Sequence, residues 1–380
     1  METNHQSSRS WPNYALIILF AIFLLIPSLE MIFHFDTTAS RGENRLLAPL
    51  PVPPQSLCGL AKYLSGWEAY YNDHFGCRRA LILWHGKLML HLFEDDSHEV
   101  LVGRDGWLYF SSGRMIDHYR GDSQFSEAEL QGWQKLLEQR RDWLARRHIK
   151  FIFVLTPNKE SIYPEHLPDW LKNPGRPTKA DQFFAYMRTH SSVSVLDLRP
   201  TLLAAKGSGP LYMQTDTHWN QLGAFLGCDQ LVRLLADERV AGLKPLSLNA
   251  FNQTNPLAPG GDLTRMLGVD MLESNAVYLT PKPELPELNL FETTNETVGL
   301  WSFSKLPGGT GSAIVYHDSF GRFWIPFLGY QLKEVDYFRQ YFLNPKIIAE
   351  KQPAIVICEV LERFLNTADP AGLSAQDALP

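Results

Sequence analysis

Cysteine is scarce in this chain, with four residues among 380, and none of them belongs to a CxxC pair or to a Cys/His group with zinc spacing. The common structural zinc folds are therefore excluded. Cys58 and Cys77 lie close enough in sequence to form a disulfide in an oxidising compartment. The alternative is that the cysteines are small buried apolar side chains, which we expect of Cys358 in the run PAIVICEV.

Dense runs of Lys and Arg are also missing, and the net charge is −6. Because phosphate binding requires a concentrated basic face, we expect no nucleic-acid partner. Internal repeats and low-complexity tracts are absent from the sequence. Hydrophobic residues make up 45% of the chain and charged residues 20%, which is typical of a globular core and argues against disorder.

The chain contains one long hydrophobic run, YALIILFAIFLLI at 14–26. A helix needs about 20 residues to cross a bilayer, and the run reaches this length if Pro27, Ser28 and Glu30 lie at the interface. A small-x-small cleavage site is lacking soon after the run, since the nearest candidate is at 37–39. We therefore predict an uncleaved signal anchor.

This anchor divides the chain into three parts. Residues 1–35 are expected to form a single transmembrane helix, residues 36–57 a proline-rich linker, and residues 58–380 the globular domain. Too few charges flank the run to set its orientation. That the domain is exported is therefore an assumption.

Short continuous apolar runs alternate with helical patterns along the domain. Such runs are typical of strands buried on both faces of a parallel sheet, and they occupy 150–159, 193–198, 312–318, 333–338 and 353–360. The clearest helix is 126–147, where Ser126 and Glu129 form a capping box before an apolar stripe. This alternation predicts an α/β domain with helices on both faces of a parallel sheet.

Other segments give weaker signals. The run VLVGRDGWLYF at 100–110 predicts two short strands around a turn, and 58–94 carries aromatic residues at helical spacing. Residues 245–310 are rich in Pro, Asn and Gly. We interpret them as a long irregular insertion that lies near the functional site. Gly260 and Gly261 are expected to form a flexible pair that helps to position a substrate there.

Three polar segments follow predicted strands: TPNK at 156–159, TDTHWN at 215–220 and YHDSF at 316–320. The carboxyl ends of strands in an open α/β sheet meet at one edge, where sites form. Ser319 is a candidate nucleophile that needs a base, and His218 is the candidate base. Asp216 can fix the imidazole tautomer from two residues away. The Ser319 amide and, more weakly, Asn158 are candidate oxyanion donors.

Alternative interpretations of these residues stay open. A D-x-H sequence often occurs by chance, and the Asp and Ser after a strand are also common helix caps. His218 and Asp216, together with His317 and Asp318, could instead bind a metal. Trp219 could pack in the core as well as stack on a sugar.

Six motifs occur in a fixed order: GRDGWLYF, TPNKESIYPEHLP, LYMQTDTHWNQLGAF, GGDLTRMLG, YHDSF and CEVLERF. From about residue 40 to 366 the chain thereby resembles the alginate O-acetyltransferase AlgJ/AlgX family, the SGNH-hydrolase-like acyltransferases of bacterial exopolysaccharides. The resemblance implies a triad of Asp216, His218 and Ser319. Further candidates in or beside the motifs, for the oxyanion or the substrate, are Asn158, Lys159, Trp219, Arg322 and Arg363.

The resemblance also implies an SGNH-hydrolase-like, flavodoxin-like sheet. In ordinary SGNH hydrolases the serine follows the first strand, whereas here Asp216 and His218 precede Ser319, so we predict a circularly permuted sheet. A second departure concerns the oxyanion Asn that follows the third strand in those enzymes. This chain has Glu359, Glu362 and Arg363 there, so the resemblance does not identify a side chain for the oxyanion hole.

Together these features predict a polysaccharide O-acetyltransferase in the bacterial inner membrane, with its catalytic domain in the periplasm. The resemblance implies a membrane-bound O-acyltransferase partner that supplies acetyl groups, and no metal or organic cofactor is expected. The chain lacks room for the carbohydrate-binding domain of AlgX, which favours the AlgJ-like layout. Two alternatives are a polysaccharide acetylesterase with the same triad and a non-catalytic polysaccharide-binding or assembly protein.

Overall fold

The computed structural model describes residues 10–33, 48–54, 59–78, 81, 99–112, 114–238, 240, 242–295 and 299–379. The chain divides into two compact units. The first comprises Met1–Asp95 with Arg265–Asp270, and the second comprises Asp96–Thr264 with Met271–Pro380. All residues of the predicted site belong to the second unit.

In the first unit, helix α1 spans Ser10–Phe33 and helix α2 spans Leu60–His74. In the part of the chain that the structure describes, none of the helices combines the length and the apolarity needed to cross a bilayer. The membrane anchor therefore stays a prediction. Of the predicted linker, 48–54 is described and contains neither helix nor strand. Cys58 lies outside the described residues, so its disulfide with Cys77 also stays a prediction.

The second unit is built from short strands that alternate with helices. Its strands are β1 (Val100–Val102), β2 (Leu108–Phe110), β3 (Lys150–Thr156), β4 (Val195–Asp197), β5 (Phe251–Thr254), β6 (Ala258–Pro259), β7 (Leu272–Glu273), β8 (Tyr278–Pro281), β9 (Asn289–Asn295), β10 (Gly299–Lys305), β11 (Ser312–Tyr316), β12 (Glu334–Phe338) and β13 (Ile355–Leu361). The helices that begin in it are α3 (Met115–Tyr119), α4 (Glu127–Ala145), α5 (Lys159–Ile162), α6 (Lys179–His190), α7 (Arg199–Ala205), α8 (Gln221–Asp237), α9 (Asp262–Leu267), α10 (Ile325–Leu328), α11 (Pro345–Lys351) and α12 (Pro370–Asp377).

Seven of these strands form one mixed sheet in the order β4-β3-β13-β11-β12-β10-β9. The five predicted apolar runs supply β3, β4, β11, β12 and β13, which pair in parallel. If β11 is counted as the first strand, the order β12-β11-β13-β3-β4 becomes 2-1-3-4-5, which is the flavodoxin-like order. The three strands that come first in this order stand at the end of the chain, which is the arrangement that the predicted permutation requires.

Alternate residues of the parallel strands enter two separate cores, one on each face of the sheet. On β3, Ile152 and Val154 join one core, which α8 covers. Phe151 and Phe153 join the other, which α4 and α6 cover. The capping box of α4 forms as predicted, with Ser126 and Glu129 bonding reciprocally. Helices on both faces are thus confirmed, and they explain why these strands read as unbroken apolar runs.

The prediction of a purely parallel sheet and an irregular 245–310 segment is wrong in part. β9 and β10 form an antiparallel hairpin, and β10 extends the sheet beside β12, with Trp301 opposite Phe338. Pairs β5–β8 and β6–β7 form two further small sheets from the same region. The physical reason is that the backbone groups at the outer edge of β12 need hydrogen-bond partners, and the backbone of β10 supplies them.

The central position of β13 gives a test of the fold. Ile357 is fully buried on β13, so Ile357→Ala should lower the free energy of unfolding by about 2–5 kcal/mol because it removes apolar contacts and leaves a cavity. Urea unfolding followed by circular dichroism measures this. Leu257→Ala is the control, since Leu257 is 65% exposed and its loss should change stability by less than about 0.5 kcal/mol. Equal effects of the two substitutions would contradict this core.

Candidate active site

Asp216 and His218 lie in the loop between α7 and α8 and form a direct pair. Nδ1 of His218 lies 2.7 Å from Oδ1 of Asp216, so Nδ1 is the ring nitrogen that carries the proton. Burial alone would raise the pKa of Asp216, but the hydrogen bond and charge of His218 lower it well below its ordinary value. Two residues on, Asn220 caps α8 by accepting from the amides of Leu222 and Gly223, which holds the loop to the helix.

The other ring nitrogen of His218 is uncommitted. Nε2 is buried and has no hydrogen-bond partner among the described residues. The ring packs against Phe320, with centroids 4.8 Å apart, and against Phe323 at 5.6 Å. His218 therefore lies against the segment that directly follows Ser319. The predicted hydrogen bond from His218 to Ser319 is not formed, and such bonds commonly form only when substrate is bound.

Ser319 lies in a turn after β11 that is tied to β13 by buried carboxyl groups. Asp318 accepts from the Phe320 amide at 2.8 Å and from the Leu361 amide at 2.7 Å. Its own amide donates to Oε2 of Glu359 at 3.1 Å. Burial, and then the nearby Asp318, raise the pKa of Glu359 well above its ordinary value, which favours a neutral acid there.

The turn is packed too tightly for a side chain at Gly321. A Cβ there would lie 2.5 Å from Cβ of His317 and 2.7 Å from Oε2 of Glu359. The loop of His218 holds the same turn as well, because Nε1 of Trp219 donates to the carbonyl of Phe320 at 3.2 Å. The position of Ser319 is thus set by both β13 and the histidine loop.

A cavity of about 240 Å³ opens beside Ser319. Aromatic and polar side chains line it, including Phe110, Ser112, Tyr341 and Arg363. The Arg363 guanidinium lies over the Phe110 ring, with Cζ 4.4 Å from the centroid, and burial lowers its pKa. Among the described residues this guanidinium has no hydrogen-bond acceptor, so its donors remain available to a ligand.

Asn158 and Glu362 join the carboxyl ends of β3 and β13. Oε2 of Glu362 accepts from the backbone amide of Asn158 at 3.0 Å, and the side-chain Oδ1 of Asn158 accepts from the backbone amide of Arg363 at 3.3 Å. The Asn158 Nδ2 group is buried without a partner among the described residues. Burial alone would raise the pKa of Glu362, but the bond and charge of His118 lower it to about 2. These contacts stabilise the strand ends.

Three of the predicted binding residues make contacts within the chain. The buried Lys159 donates all three of its protons to the carbonyls of Leu108, Met213 and Gln214, at 2.5, 3.0 and 3.2 Å, and burial lowers its pKa to about 8. Trp219 is fully buried, so its ring packs in the core and is not exposed to stack on a sugar. Arg322 is exposed and pairs with Glu292 at 3.4 Å.

Two acidic residues that hold the loop of Asp216 and His218 were not predicted from the sequence. Asp262 contacts the Asp216–His218 loop, and Glu273 accepts from the amides of Gln214 and Thr215. The motif GGDLTRMLG contains Asp262 and was the available signal. Its glycines serve close packing, contrary to the flexible role predicted for them, because a Cβ on Gly261 would lie 2.2 Å from Cβ of Asp216.

The metal alternative involves a different set of residues from the one predicted. Asp216, His218 and Asp262 have potential ligand atoms within 4.8 Å of one another. In the predicted set, Nδ1 of the buried His317 lies 2.5 Å from the Asp318 carbonyl oxygen, and the Asp318 carboxylate accepts from two backbone amides.

Comparison with known proteins identifies a family and several relatives. Residues 100–301 match the family described as SGNH hydrolase-like domain, acetyltransferase AlgX. A probable alginate O-acetylase AlgJ of Pseudomonas syringae pv. tomato is 32% identical over 230 residues, covering 59% of this chain and 54% of that protein. A probable alginate O-acetylase AlgJ of Pseudomonas fluorescens is 28% identical over 249 residues, covering 63% and 59%. The chain thus spans little more than half the length of these relatives.

A solved structure shares the fold. The structure of Bacillus cereus PatB1 superposes with a TM-score of 0.55 at 16% identity, covering 71% of this chain and 98% of that chain. At this identity the likeness concerns the fold alone.

The buried carboxylate of Glu362 gives a test by pH. Its pKa is lowered from 4.5 to about 2 in the folded chain, so it stabilises the fold above pH 4.5 by about 3 kcal/mol, and this contribution is lost as pH falls towards 2. Glu362→Gln should therefore be less stable than wild type at pH 6, with the difference narrowing below pH 5. Urea unfolding at pH 6, 5, 4 and 3 measures it.

The control for this test is Glu350→Gln, since Glu350 is exposed and its substitution should leave the pH profile unchanged. A Glu362→Gln deficit that stays constant from pH 6 to pH 3 would contradict the ionised, buried carboxylate.

Proposed function

The chain belongs to the family of the SGNH hydrolase-like domain of the acetyltransferase AlgX, and we propose that it moves acetyl groups onto hydroxyls of a bacterial exopolysaccharide. Relatives are named probable alginate O-acetylases, which supports a polysaccharide as the acceptor. The observation that carries the proposal is the hydrogen bond of His218 to Asp216, in an imidazole whose Nε2 is uncommitted and whose ring packs against Phe320, the residue after Ser319.

In the first half-reaction, Oγ of Ser319 attacks the carbonyl carbon of an acetyl ester while His218 Nε2 takes the hydroxyl proton. Asp216 keeps the proton of Nδ1 directed at its own carboxylate and stabilises the imidazolium that forms. When the tetrahedral intermediate collapses, the bond to the donor oxygen breaks and Nε2 returns the proton to that oxygen. Ser319 is left as an acetyl ester.

In the second half-reaction, a sugar hydroxyl takes the place of the departed donor. His218 Nε2 accepts its proton, the sugar oxygen bonds to the acetyl carbon, and the bond to Oγ breaks. Ser319 then regains its proton from Nε2. Transfer prevails over hydrolysis if a sugar hydroxyl is held in this position more effectively than water.

The negative charge that develops on the acetyl oxygen needs nearby donors. The Ser319 amide makes no hydrogen bond to another described residue, and Arg363 lines the same cavity as Ser319 with uncommitted guanidinium donors. We assign the oxyanion to these two groups, with Arg363 in the place of the Asn of ordinary SGNH hydrolases.

The triad is tested by substitution in the purified chain, supplied with an activated acetyl ester and oligosaccharide acceptors. Ser319→Ala and His218→Ala should each abolish acetyl transfer, because the nucleophile or its base is removed. Asp216→Asn should lower kcat by orders of magnitude, since it favours the wrong imidazole tautomer. Mass spectrometry of the sugar and of the Ser319 peptide measures both half-reactions. Leu257→Ala serves as the matched control.

The products separate transfer from hydrolysis. Acetylated sugar that depends on Ser319 supports the transferase. Free acetate with every acceptor, together with deacetylation of native polymer, would identify an acetylesterase. Normal acetylation by the Ser319→Ala variant would exclude Ser319 as nucleophile.

We also propose that the domain works in the periplasm and receives acetyl groups through a membrane-bound O-acyltransferase. The support is the hydrophobic run at 14–26 together with the family to which the chain belongs. Protease added outside spheroplasts should digest residues 60–380, because an exported domain is accessible from that side. Protection in intact spheroplasts, with digestion after lysis, would contradict the proposal. A cytoplasmic protein in the same sample is the control for leakage.

A further inference from the structure

Asp262 makes two kinds of contact with the Asp216–His218 loop. Its backbone amide donates to Oδ2 of Asp216 at 2.9 Å, and its carboxylate Oδ1 accepts from the Thr217 amide at 2.7 Å. The Asp216 carboxylate is therefore engaged at both oxygens, because Oδ1 already accepts from His218 Nδ1 and from the His218 amide. Asp262 thus holds both the carboxylate and the residue between it and the histidine.

The neighbouring glycine permits this approach. The Gly261 amide donates to Oγ1 of Thr215 at 3.1 Å. A Cβ on Gly261 would lie 2.2 Å from Cβ and 2.6 Å from Oδ2 of Asp216, so a larger residue would displace the triad carboxylate. Residues 261 and 262 therefore contact the loop at Thr215, Asp216 and Thr217 in succession.

The second carboxylate oxygen of Asp262 stands near the imidazole without bonding to it. Oδ2 lies 3.8 Å from His218 Nδ1, and the Asp262 side chain is 28% exposed. This distance is too long for a hydrogen bond, and solvent screening weakens the effect of the charge on the ring. The hydrogen bond from the Thr217 amide to a carboxylate is the stronger interaction. Asp262 therefore acts mainly through geometry.

We propose that Asp262 is a positioning residue for the triad: by accepting from the Thr217 amide, it fixes the loop in which Asp216 engages Nδ1 and Nε2 of His218 is left to serve Ser319. This inference rests on the proposed function, since it presupposes that His218 activates Ser319. It adds a third acidic residue whose effect on the reaction passes through Asp216 and His218.

Covalent labelling of Ser319 by an arylsulfonyl fluoride tests this without a sugar acceptor. Oγ attacks the sulfur, the S–F bond breaks, fluoride leaves, and His218 takes the hydroxyl proton. The labelling rate of the full chain, read by mass spectrometry of the Ser319 peptide, therefore reports how well the histidine is placed. If wild type is not labelled faster than His218→Ala, the proposed function itself fails.

Two substitutions then separate geometry from charge. Asp262→Asn keeps an oxygen that can accept from the Thr217 amide, and its labelling rate should stay within about threefold of wild type. Asp262→Ala removes the acceptor and should slow labelling by about tenfold to a hundredfold, the effect expected of losing one hydrogen bond to a charged group. Asp270→Ala is the matched control, since Asp270 is an exposed aspartate eight residues further along the chain.

The positioning role is distinguished from general destabilisation by measuring the melting temperature and the labelling rate well below it. Slow labelling of folded Asp262→Ala, with near-normal labelling of Asp262→Asn, supports the proposal. Wild-type labelling by Asp262→Ala overturns it, as does equal slowing of both variants. Loss of labelling on treatment with EDTA, restored by a divalent cation, also overturns it, because Asp216, His218 and Asp262 would then be metal ligands.

Discussion

Carboxylates buried at the carboxyl edge of the sheet must be supplied with hydrogen-bond donors, because an unpaired buried charge is strongly destabilising. Asp318 accepts hydrogen bonds from the backbone amides of Phe320 and Leu361. Glu362 accepts from the backbone amide of Asn158 and from the hydroxyl of Ser161. Each of these groups joins two separate segments of chain. The turn that carries Ser319 and the segment that follows β3 are therefore held to the end of β13 by the same hydrogen bonds that satisfy these acids.

The permuted order of the strands leaves this edge intact. Parallel neighbours in the sheet need only meet in space, and their chain order has no bearing on where their carboxyl ends lie. Because β11 and β13 are adjacent, Asp318 can bond to the Leu361 amide although 43 residues separate them. A triad likewise depends on geometry, so a histidine that precedes its serine by about a hundred residues has no chemical disadvantage.

In the proposed mechanism, transfer and hydrolysis differ in which hydroxyl reaches the acetyl carbon, and the cavity beside Ser319 is where we propose that this choice is made. Its walls combine aromatic rings at Phe110 and Tyr341 with hydroxyls such as Ser112. Rings of this kind exclude water and can stack on sugars, while the hydroxyls and Arg363 supply directional bonds. An acceptor sugar held by these groups would compete with water for the acetyl-enzyme.

The sequence by itself determined the parallel strands, the two helical layers and the permutation, because strands buried on both faces must be apolar throughout and the D-x-H and D-S-F motifs occur in an unusual order. It also identified Asp216 and His218 as a pair, since the side chains of residues two positions apart in an extended segment lie on the same side. Only the tertiary structure decided the roles of Lys159, Trp219 and Asp262. Their contacts depend on residues far along the chain. Lys159 bonds to carbonyls on two distant segments, Trp219 is buried by packing against other elements, and Asp262 bonds to a loop more than 40 residues away. The hairpin of β9 and β10 likewise depends on the tertiary structure. A strand pairs with the sheet edge that has unpaired backbone groups, and the local sequence does not show which edge that is.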